Sequence, residues 1–466
     1  MLTIKIHRGS HQIGGCSTEI ECGGERILID LGSNLPGVES VGMSDEELLD
    51  HVFGKDRKRH FDGILFSHYH GDHVGQYKMV PGIGTDHEPR MFIGPAAKDI
   101  MQLIASYTER DAEIKGKEIL EHMEVYTAGK PLAGFKRMEI TPLSVDHSAL
   151  DAYMFFIKAE GKKILFTGDF RDHGIANEKG QLWRTLEKYV GESIDLLITE
   201  GTMLSRTDES AANIVHTEDE LGKKAIEYFQ DKKYNFALVS STNLDTIMEF
   251  YHNTPDDKLF VCDAYQARMI MTAVLHMYKK SSMYQGKKVY KTLTKRIYIN
   301  GKIRMDDYKW LNDMANAIKE EGYPPIFFKL VEKRDKSLED GFVMLVRANR
   351  FYERYGESEF ESLVRKYRDH HPEETQFIYS MWKGYLIGKT ADKDILRITG
   401  GEKNVVPIHT SGHAYVETIA RMMGVVNPGM VIPMHTEMAD SFKDFDEFSE
   451  WKNKIHVLQD GETFCL

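Results

Sequence analysis

A short histidine-rich stretch constrains the fold of this chain more than any other feature. Residues 67–75 read SHYHGDHVG and follow an apolar run, residues 61–66, that predicts a short buried strand. The donors in this stretch, spaced H-x-H-x-D-H, are His68, His70, Asp72 and His73. A catalytic zinc ion takes three protein ligands and a water. The turn therefore predicts two metal ions that share a water; the alternative is a surface turn that is merely rich in histidine.

Length and composition limit the class of protein. The 466 residues exceed one ordinary domain, so two packed units are expected. A net charge of −12 argues against a surface coated with basic residues, although not against a local basic groove. The four cysteines are too few and too scattered for a disulfide framework. No apolar run approaches the ~20 residues of a transmembrane helix, and no signal peptide is evident, so the composition predicts a soluble cytoplasmic protein.

The order of predicted elements divides the chain into three segments. Residues 1–206 are rich in short strands, and strands alternate with helices over residues 207–395. Such alternation is typical of a parallel sheet with crossover helices. The strand-rich texture returns over residues 396–466. We interpret this order as an α/β domain inserted into a sheet-sandwich domain.

Two metals need more donors than the turn supplies. His147, Asp169 and His435 each follow a predicted strand at the point where a loop begins, the placement that His68 also has. A single histidine in such a place is more often a buried polar residue than a ligand. Together with the turn, these side chains predict a complete centre for two metals.

The motifs, taken in order, resemble those of a known fold. Asp30, the H-x-H-x-D-H turn, His147 and Asp169 are similar to motifs one to four of the metallo-β-lactamase fold. Motifs A, B and C of its β-CASP branch of nucleases are matched by Glu200 in TEGT, His413 in SGHA and His435 in PMH. The run HTSGH, residues 409–413, is most similar to ribonuclease J.

The resemblance covers nearly the whole chain and implies a fold. The implied fold is α/β: a metallo-β-lactamase αββα sandwich with an inserted α/β (β-CASP) domain. The chain stops soon after its last predicted strand, so no counterpart of the extra C-terminal domain of ribonuclease J is expected.

The resemblance also implies a ligand set. One metal is held by His68, His70 and His147, and a second by Asp72, His73 and His435. Asp169 bridges them, and Asp30 lies behind the ligands and orients the turn. Two divalent ions are expected: three-histidine coordination favours Zn²⁺, and Mn²⁺ is the alternative because a bridging carboxylate suits it as well.

The catalytic roles implied by the resemblance concern phosphate chemistry. Asp72 orients the attacking water, and His413 binds a non-bridging oxygen or protonates the leaving 3′-oxygen, held in its tautomer by Glu200. The alternative for His413 is a helix-cap contact. The neighbouring phosphate is bound by His409, Ser411 and Gly412.

A basic stretch offers a track for a polymer. Residues 279–304 contain nine basic side chains, no acid and interleaved tyrosines, and single-stranded nucleic acids are bound by charge and rings together. The candidates are Lys287, Lys288, Lys295 and Arg296. The alternative is an ordinary solvated loop.

These features predict a metal-dependent ribonuclease that hydrolyses single-stranded RNA, in processing or decay, through a hydroxide activated between two metals. The alternatives are a DNA nuclease of the same fold, a small-molecule metallo-hydrolase and, from a different class, a non-catalytic interaction protein that kept the fold. The sequence leaves open whether cleavage is endo- or exonucleolytic and whether the chain forms a homo-oligomer.

Overall fold

The computed structural model describes residues 1–35, 42–109, 116–177, 179–209, 215–278, 293, 295–301, 303–331, 336–347, 359–387 and 392–466. The chain divides into two compact units. The first unit consists of Met1–Asp172, Asn177–Glu209 and Gly412–Leu466, and the second of His173–Ala176 and Ser210–Ser411.

The strands, numbered along the chain, are β1 (Leu2–Arg8), β2 (Ser17–Cys22), β3 (Glu25–Ile29), β4 (Gly63–Leu65), β5 (Arg90–Ile93), β6 (Glu124–Val125), β7 (Met138–Val145), β8 (Ala152–Ala159), β9 (Lys162–Phe166), β10 (Ile194–Glu200), β11 (Tyr234–Val239), β12 (Leu259–Cys262), β13 (Ile297–Asn300), β14 (Phe328–Val331), β15 (Phe342–Val346), β16 (Thr375–Ser380), β17 (Val405–Pro407), β18 (Pro428–Met434) and β19 (Thr463–Cys465). The α-helices are α1 (Asp45–Phe53), α2 (Gly71–Val74), α3 (Pro95–Thr108), α4 (Gly116–His122), α5 (Gln181–Tyr189), α6 (Glu218–Asp231), α7 (Leu244–Asn253), α8 (Ala264–Tyr278), α9 (Met305–Glu320), α10 (Glu359–His370), α11 (Lys393–Thr399) and α12 (Val416–Val426). Across the residues that the structure describes, none of the helices combines the length and the apolar character that a bilayer span requires.

The first unit contains two mixed sheets. The seven-stranded sheet has the order β19-β1-β2-β3-β4-β5-β6, antiparallel from β19 to β3 and parallel from β3 to β6. The five-stranded sheet has the order β18-β10-β9-β8-β7, in which β18, β10 and β9 are parallel and β8 and β7 are antiparallel to their neighbours. The parallel strands of each sheet end at one edge, where loops can carry functional side chains.

The two sheets of the first unit enclose a common apolar core. Alternate residues of β1, such as Ile4 and Ile6, pack with Phe155 of β8 and Ile198 of β10 in this core. The opposite face of the five-stranded sheet is covered by α5 and α12, which share a second apolar cluster with it. Because successive strand side chains point to opposite faces, His7 of β1 lies on the face away from the core and contacts His51 of α1. The unit is therefore an αββα sandwich.

Helix α1 begins with a capping box. The Ser44 hydroxyl accepts a hydrogen bond from the Glu47 amide, and the Glu47 carboxylate accepts one from the Ser44 amide. These two bonds satisfy backbone donors that a helix N-terminus leaves without intrahelical partners.

The second unit is built on a parallel sheet. Its seven strands have the order β14-β13-β12-β15-β11-β16-β17. Helices α10 and α11 pack on one face, where Val364 and Ile395 join Phe236 in an apolar cluster. Every strand pair is parallel, as expected for strands joined by crossover helices.

The structure moves one expected domain boundary. The sequence predicts that the first domain resumes at residue 396, with β17 in its sandwich. β17 instead pairs in parallel with β16, with Val405 opposite Phe377, and the second unit continues to Ser411. A strand of three residues fits the edge of a sheet in either unit, so the sequence pattern could not assign β17 to one of them. Beyond β18, Ile455 forms only an isolated bridge with Val431.

Candidate metal centre

All the predicted metal ligands lie in the first unit, in loops that follow strands. The H-x-H-x-D-H turn follows β4, His147 follows β7 and Asp169 follows β9. His435 comes directly after β18. These strands belong to both sheets of the sandwich, so the sheet edges gather side chains that are far apart in the sequence.

The first group of donors consists of His68, His70 and His147. One nitrogen from each ring lies within 4.8 Å of the other two, and His70 Nδ1 is 3.2 Å from His147 Nε2. His147 Nδ1 donates to the carbonyl of Gly412 at 2.6 Å, so Nε2 carries the lone pair that faces the group. The sequence predicted this trio as one metal position.

The second group of donors contains Asp72, His73 and His435. Asp72 Oδ2 lies 3.3 Å from His435 Nε2 and 3.9 Å from His73 Nε2. His435 Nδ1 donates to the Thr202 hydroxyl at 2.7 Å, which leaves Nε2 to face Asp72. His435 has a positive φ of 51°, and its amide donates to the carbonyl of Gly9.

Asp169 lies between the two groups. Its Oδ2 is 3.1 Å from His73 Nε2 in the second group and 3.9 Å from both His68 Nε2 and His147 Nε2 in the first. A single carboxylate thus reaches donors of both positions, the placement that a bridging ligand requires.

Asp30 and Ser67 contact the ring nitrogens of His68 and His73 that face away from the metal positions. His73 Nδ1 donates to Asp30 Oδ2 at 2.8 Å, and the Ser67 amide donates to Asp30 Oδ1 at 2.7 Å. The Ser67 hydroxyl also donates to Asp30 and lies 3.0 Å from His68 Nδ1. Such bonds fix the tautomer and the orientation of ligand histidines. Sequence reasoning missed Ser67, whose only signal was its place directly before His68.

The donors fit divalent cations. His68 Nε2, His73 Nε2 and Asp169 Oδ1 are buried and have no hydrogen-bond partner among the residues that the structure describes. A buried polar atom without a partner is costly, and a cation between the two groups would satisfy all three. Imidazole nitrogen and carboxylate oxygen suit zinc and manganese.

The pKa values of several side chains in the two groups are strongly shifted. Burial lowers the pKa of His70 to about 4 and holds the pKa of His68 and of His147 well below the usual value, so these rings are neutral near pH 7 and can ligate a metal. Burial also opposes the charged form of His73, but the carboxylates of Asp169, Asp30 and Asp72 outweigh it and raise its pKa. In the protein without metal, His73 therefore supplies positive charge where a cation would lie.

His413 and Glu200 form a pair beside the metal positions. His413 Nδ1 donates to Glu200 Oε2 at 2.9 Å, and the other oxygen of Glu200 accepts the Phe170 amide at 2.9 Å. His413 Nδ1 is also 3.6 Å from Asp169 Oδ2. Burial alone would lower the pKa of His413, but the Glu200 and Asp169 carboxylates outweigh it and raise the pKa.

The remaining candidates are divided between the two units. His409 and Ser411 belong to the second unit, where the Ser411 carbonyl accepts a hydrogen bond from His173. Gly412 belongs to the first unit and contributes its carbonyl to His147. The phosphate-binding role of these three residues stays a prediction.

Of the four candidates in the basic stretch, Lys295 and Arg296 are among the described residues. Lys287 and Lys288 lie outside them. The Lys295 ammonium donates to the carbonyls of His252 and Thr254 at the end of α7 and pairs with Asp256, so it serves the local fold. Arg296 is exposed.

The fold and the ligand set together define a metallo-β-lactamase fold domain, which confirms the class that the motifs predict. Residues 25–238 match the family model described as "Beta-lactamase superfamily domain". Over these residues, less than half of the chain, the sequence is similar to that superfamily.

Two of the proteins to which the chain is similar are described as ribonucleases. The chain is 26% identical over 214 residues to an RNase J-like protein of Methanocaldococcus jannaschii, which covers 45% of this chain and 44% of that protein. It is 26% identical over 213 residues to the endoribonuclease ysh-1 of Neurospora crassa, covering 42% of this chain and 23% of that protein. These names confirm the resemblance to the ribonuclease J group, although the match spans less than half the length of either relative.

A solved structure shares the whole fold. A crystal structure of a protein of unknown function from Enterococcus faecalis V583 superimposes with a TM-score of 0.67 and 16% identity, over 100% of both chains. At this identity the similarity extends to the fold alone.

Proposed function

We propose that the protein is a metal-dependent ribonuclease that hydrolyses phosphodiester bonds of single-stranded RNA. The observation that carries the proposal is the position of Asp169, whose carboxylate reaches both groups of donors and lies 3.6 Å from His413. A pair of cation positions beside a histidine that can hold a proton suits attack on a phosphate and departure of an alcohol.

In this proposal two divalent ions, with zinc preferred, occupy the two groups of donors. His68, His70 and His147 hold one ion; Asp72, His73 and His435 hold the other, and Asp169 is shared. When bound, the ions activate a water and neutralise charge on the phosphate.

The residues of the chain have separate roles in this proposal. Asp72 orients the water through its carboxylate, on the side of the second group. His413 donates a proton to the 3′-oxygen as the phosphorus–oxygen bond breaks, which leaves a 3′-hydroxyl and a 5′-phosphate. Since Nδ1 is bound to Glu200, this proton would be carried at Nε2. His409, Ser411 and the Gly412 backbone are proposed to bind the neighbouring phosphate.

The choice of RNA rests on the relatives. The similar proteins are named as an RNase J-like protein and as endoribonucleases. The ligand geometry alone would also serve a DNA nuclease or a hydrolase of small molecules, so the substrate is decided by experiment.

The test compares substrates and variants on denaturing gels. Zinc-loaded protein is incubated with end-labelled single-stranded RNA that carries a 5′-phosphate or a 5′-hydroxyl, and with DNA of the same sequence. We expect cleavage of RNA, abolished by a chelator, by Asp72→Ala and by His413→Ala. A ladder of internal products would indicate an endonuclease, and mononucleotides released from one end an exonuclease.

Matched controls are available on an exposed turn. Asp86 and His87 are neighbouring exposed residues of the first unit, so Asp86→Ala and His87→Ala remove the same chemical groups away from the centre and should cleave as well as the unaltered protein. Cleavage of DNA but not RNA would replace the substrate in the proposal. Absence of metal-dependent cleavage of either polymer would overturn it.

A further inference from the structure

Cys16 lies beside the second group of donors, a position that no sequence motif predicts. Its sulfur, one ring nitrogen of His73 and one of His435 all lie within 4.8 Å of one another. Cys16 is a free cysteine with no exposed surface. In the sequence it forms no C-x-x-C pair and stands more than fifty residues from the H-x-H-x-D-H turn.

The backbone around Cys16 ties it to this group. The Cys16 amide donates to the carbonyl of Asp72 at 2.9 Å, so the start of β2 is fixed to the turn. The sulfur lies against Gly9, where a Cβ would be only 3.1 Å from it. The carbonyl of Gly9 accepts the amide of His435. A residue without a side chain thus leaves room for the sulfur between the two histidines.

A second observation marks the same place as a ligand site. His73 is 1% exposed, and its Nε2 makes no well-directed hydrogen bond among the described residues, although Asp169 Oδ2 lies 3.1 Å away. Its Nδ1 is already engaged by Asp30, so Nε2 is the nitrogen that remains for a metal. Donors to one zinc ion, at about 2.0 Å for nitrogen and 2.3 Å for sulfur, lie within about 4.3 Å of each other. The upper limit of 4.8 Å for the three atoms is close to this separation.

We propose that Cys16 supplies a sulfur ligand to the metal held by His73 and His435. This inference rests on the metal centre of the proposed function and not on the identity of the substrate. Binding of a cation releases the thiol proton to solvent, and the sulfur–metal bond forms from the thiolate.

The consequence is a metal preference that differs between the two positions. Thiolate ligands select zinc, cobalt and cadmium over manganese and magnesium. The position with Cys16 is therefore thiophilic, whereas the position formed by His68, His70 and His147 has nitrogen donors only besides the shared Asp169.

The test uses Co²⁺ as the probe, because a thiolate bound to cobalt absorbs in the near ultraviolet while nitrogen and oxygen donors give only the weak visible bands. Metal-free full-length protein is titrated with Co²⁺ in a Cys465→Ser background, since Cys465 is the exposed thiol. We expect the near-ultraviolet band to grow with binding and to disappear in Cys16→Ser, while the visible bands remain. Cys22→Ser removes another buried thiol, at the end of β2, and should leave the band intact.

A competition experiment gives a second measurement. In equilibrium dialysis, Cys16→Ser should weaken Cd²⁺ binding by about tenfold or more, with little change for Mn²⁺. Circular dichroism of the metal-free variant checks folding, and Cys16→Ala is used if the serine variant does not fold.

The outcomes separate this inference from the ribonuclease proposal. An unchanged near-ultraviolet band in Cys16→Ser, or visible bands without a near-ultraviolet band in the unaltered protein, would overturn the role of Cys16 and leave the metal centre standing. Absence of all cobalt bands would overturn both the centre and the sulfur ligand. A normal sulfur band in a protein that cleaves no RNA would support Cys16 and reject only the substrate.

Discussion

In three of the candidate ligands, the ring nitrogen that faces away from the metal position has a defined hydrogen-bond partner. His73 is bound to Asp30, His147 to the Gly412 carbonyl and His435 to Thr202. A nitrogen that donates its proton in this way leaves the other nitrogen as the ligand, in a fixed orientation. The centre is thus prepared for cations before they bind.

The pair of His413 and Glu200 gives a prediction at the residue scale. Glu200→Gln replaces a carboxylate 2.9 Å from His413 Nδ1 by a neutral amide, so the raised pKa of His413 should fall. If the protonated ring is the acid, activity is present below this pKa and is lost as the pH rises through it. We expect the alkaline limb of kcat/KM to move down by about one pH unit in Glu200→Gln.

The measurement is the pH profile of RNA cleavage for the unaltered protein and the variant. Glu187→Gln, at an exposed position of α5, is the matched control and should keep the original limb. An alkaline limb that stays in place in Glu200→Gln would show that His413 does not set it.

At the scale of elements, a buried ion pair joins the turns after β7 and β9. Arg171 Nε donates to Asp146 Oδ1 at 2.9 Å, and both side chains are fully buried. The two residues are close neighbours in sequence of His147 and Asp169. The pair therefore fixes the geometry of a ligand from each turn.

Arg171→Met should destabilise the first unit. It leaves the Asp146 carboxylate buried without its cation, and loss of one partner of such a pair costs about 3–5 kcal/mol. Replacing both residues, as in Asp146→Leu with Arg171→Met, should recover part of this loss because no uncompensated charge remains. Differential scanning calorimetry measures both, with the exposed Arg184→Met as control. Equal destabilisation by the single and double variants would contradict this explanation.

The sequence predicts much of the centre because its ligands follow strands. His147, Asp169 and His435 were assigned from apolar runs that end in a donor, and the structure places all three near the H-x-H-x-D-H turn. Cys16 was missed because its approach depends on contacts with Gly9 and with the Asp72 carbonyl, which is distant in sequence, and no local pattern reveals such contacts. The edge strand β17 was misassigned because three apolar residues carry no information about which sheet they join.

At the scale of the whole molecule, the two units differ in their apolar clusters and in the candidate ligands that they carry. Every predicted ligand belongs to the first unit, whose two sheets share one apolar cluster, whereas the sheet of the second unit packs in another. A cation that binds only the folded first unit stabilises that unit by mass action, by about 2.7 kcal/mol at a concentration of 100 Kd.

Zinc should therefore protect the first unit selectively. In hydrogen–deuterium exchange, addition of Zn²⁺ to metal-free protein should slow exchange in peptides that contain the turn with His68 and the loops with Asp169 and His435. Peptides from β11 and β15 of the second unit should exchange at the same rate with and without the metal. Equal protection of both units would show that the metal effect is not confined to the first.

The distance along the chain between Asp72 and His435 has a consequence for synthesis. The two side chains meet at 3.3 Å although 363 positions separate them. At about 5–20 residues per second, translation leaves an interval of about 20–70 s between their appearance. The growing polypeptide can thus bring His68, His70 and His147 together well before it can complete the second group of donors, which needs His435. Under the proposed function, a nascent chain would have no complete centre, and so no ribonuclease activity, until His435 had been made.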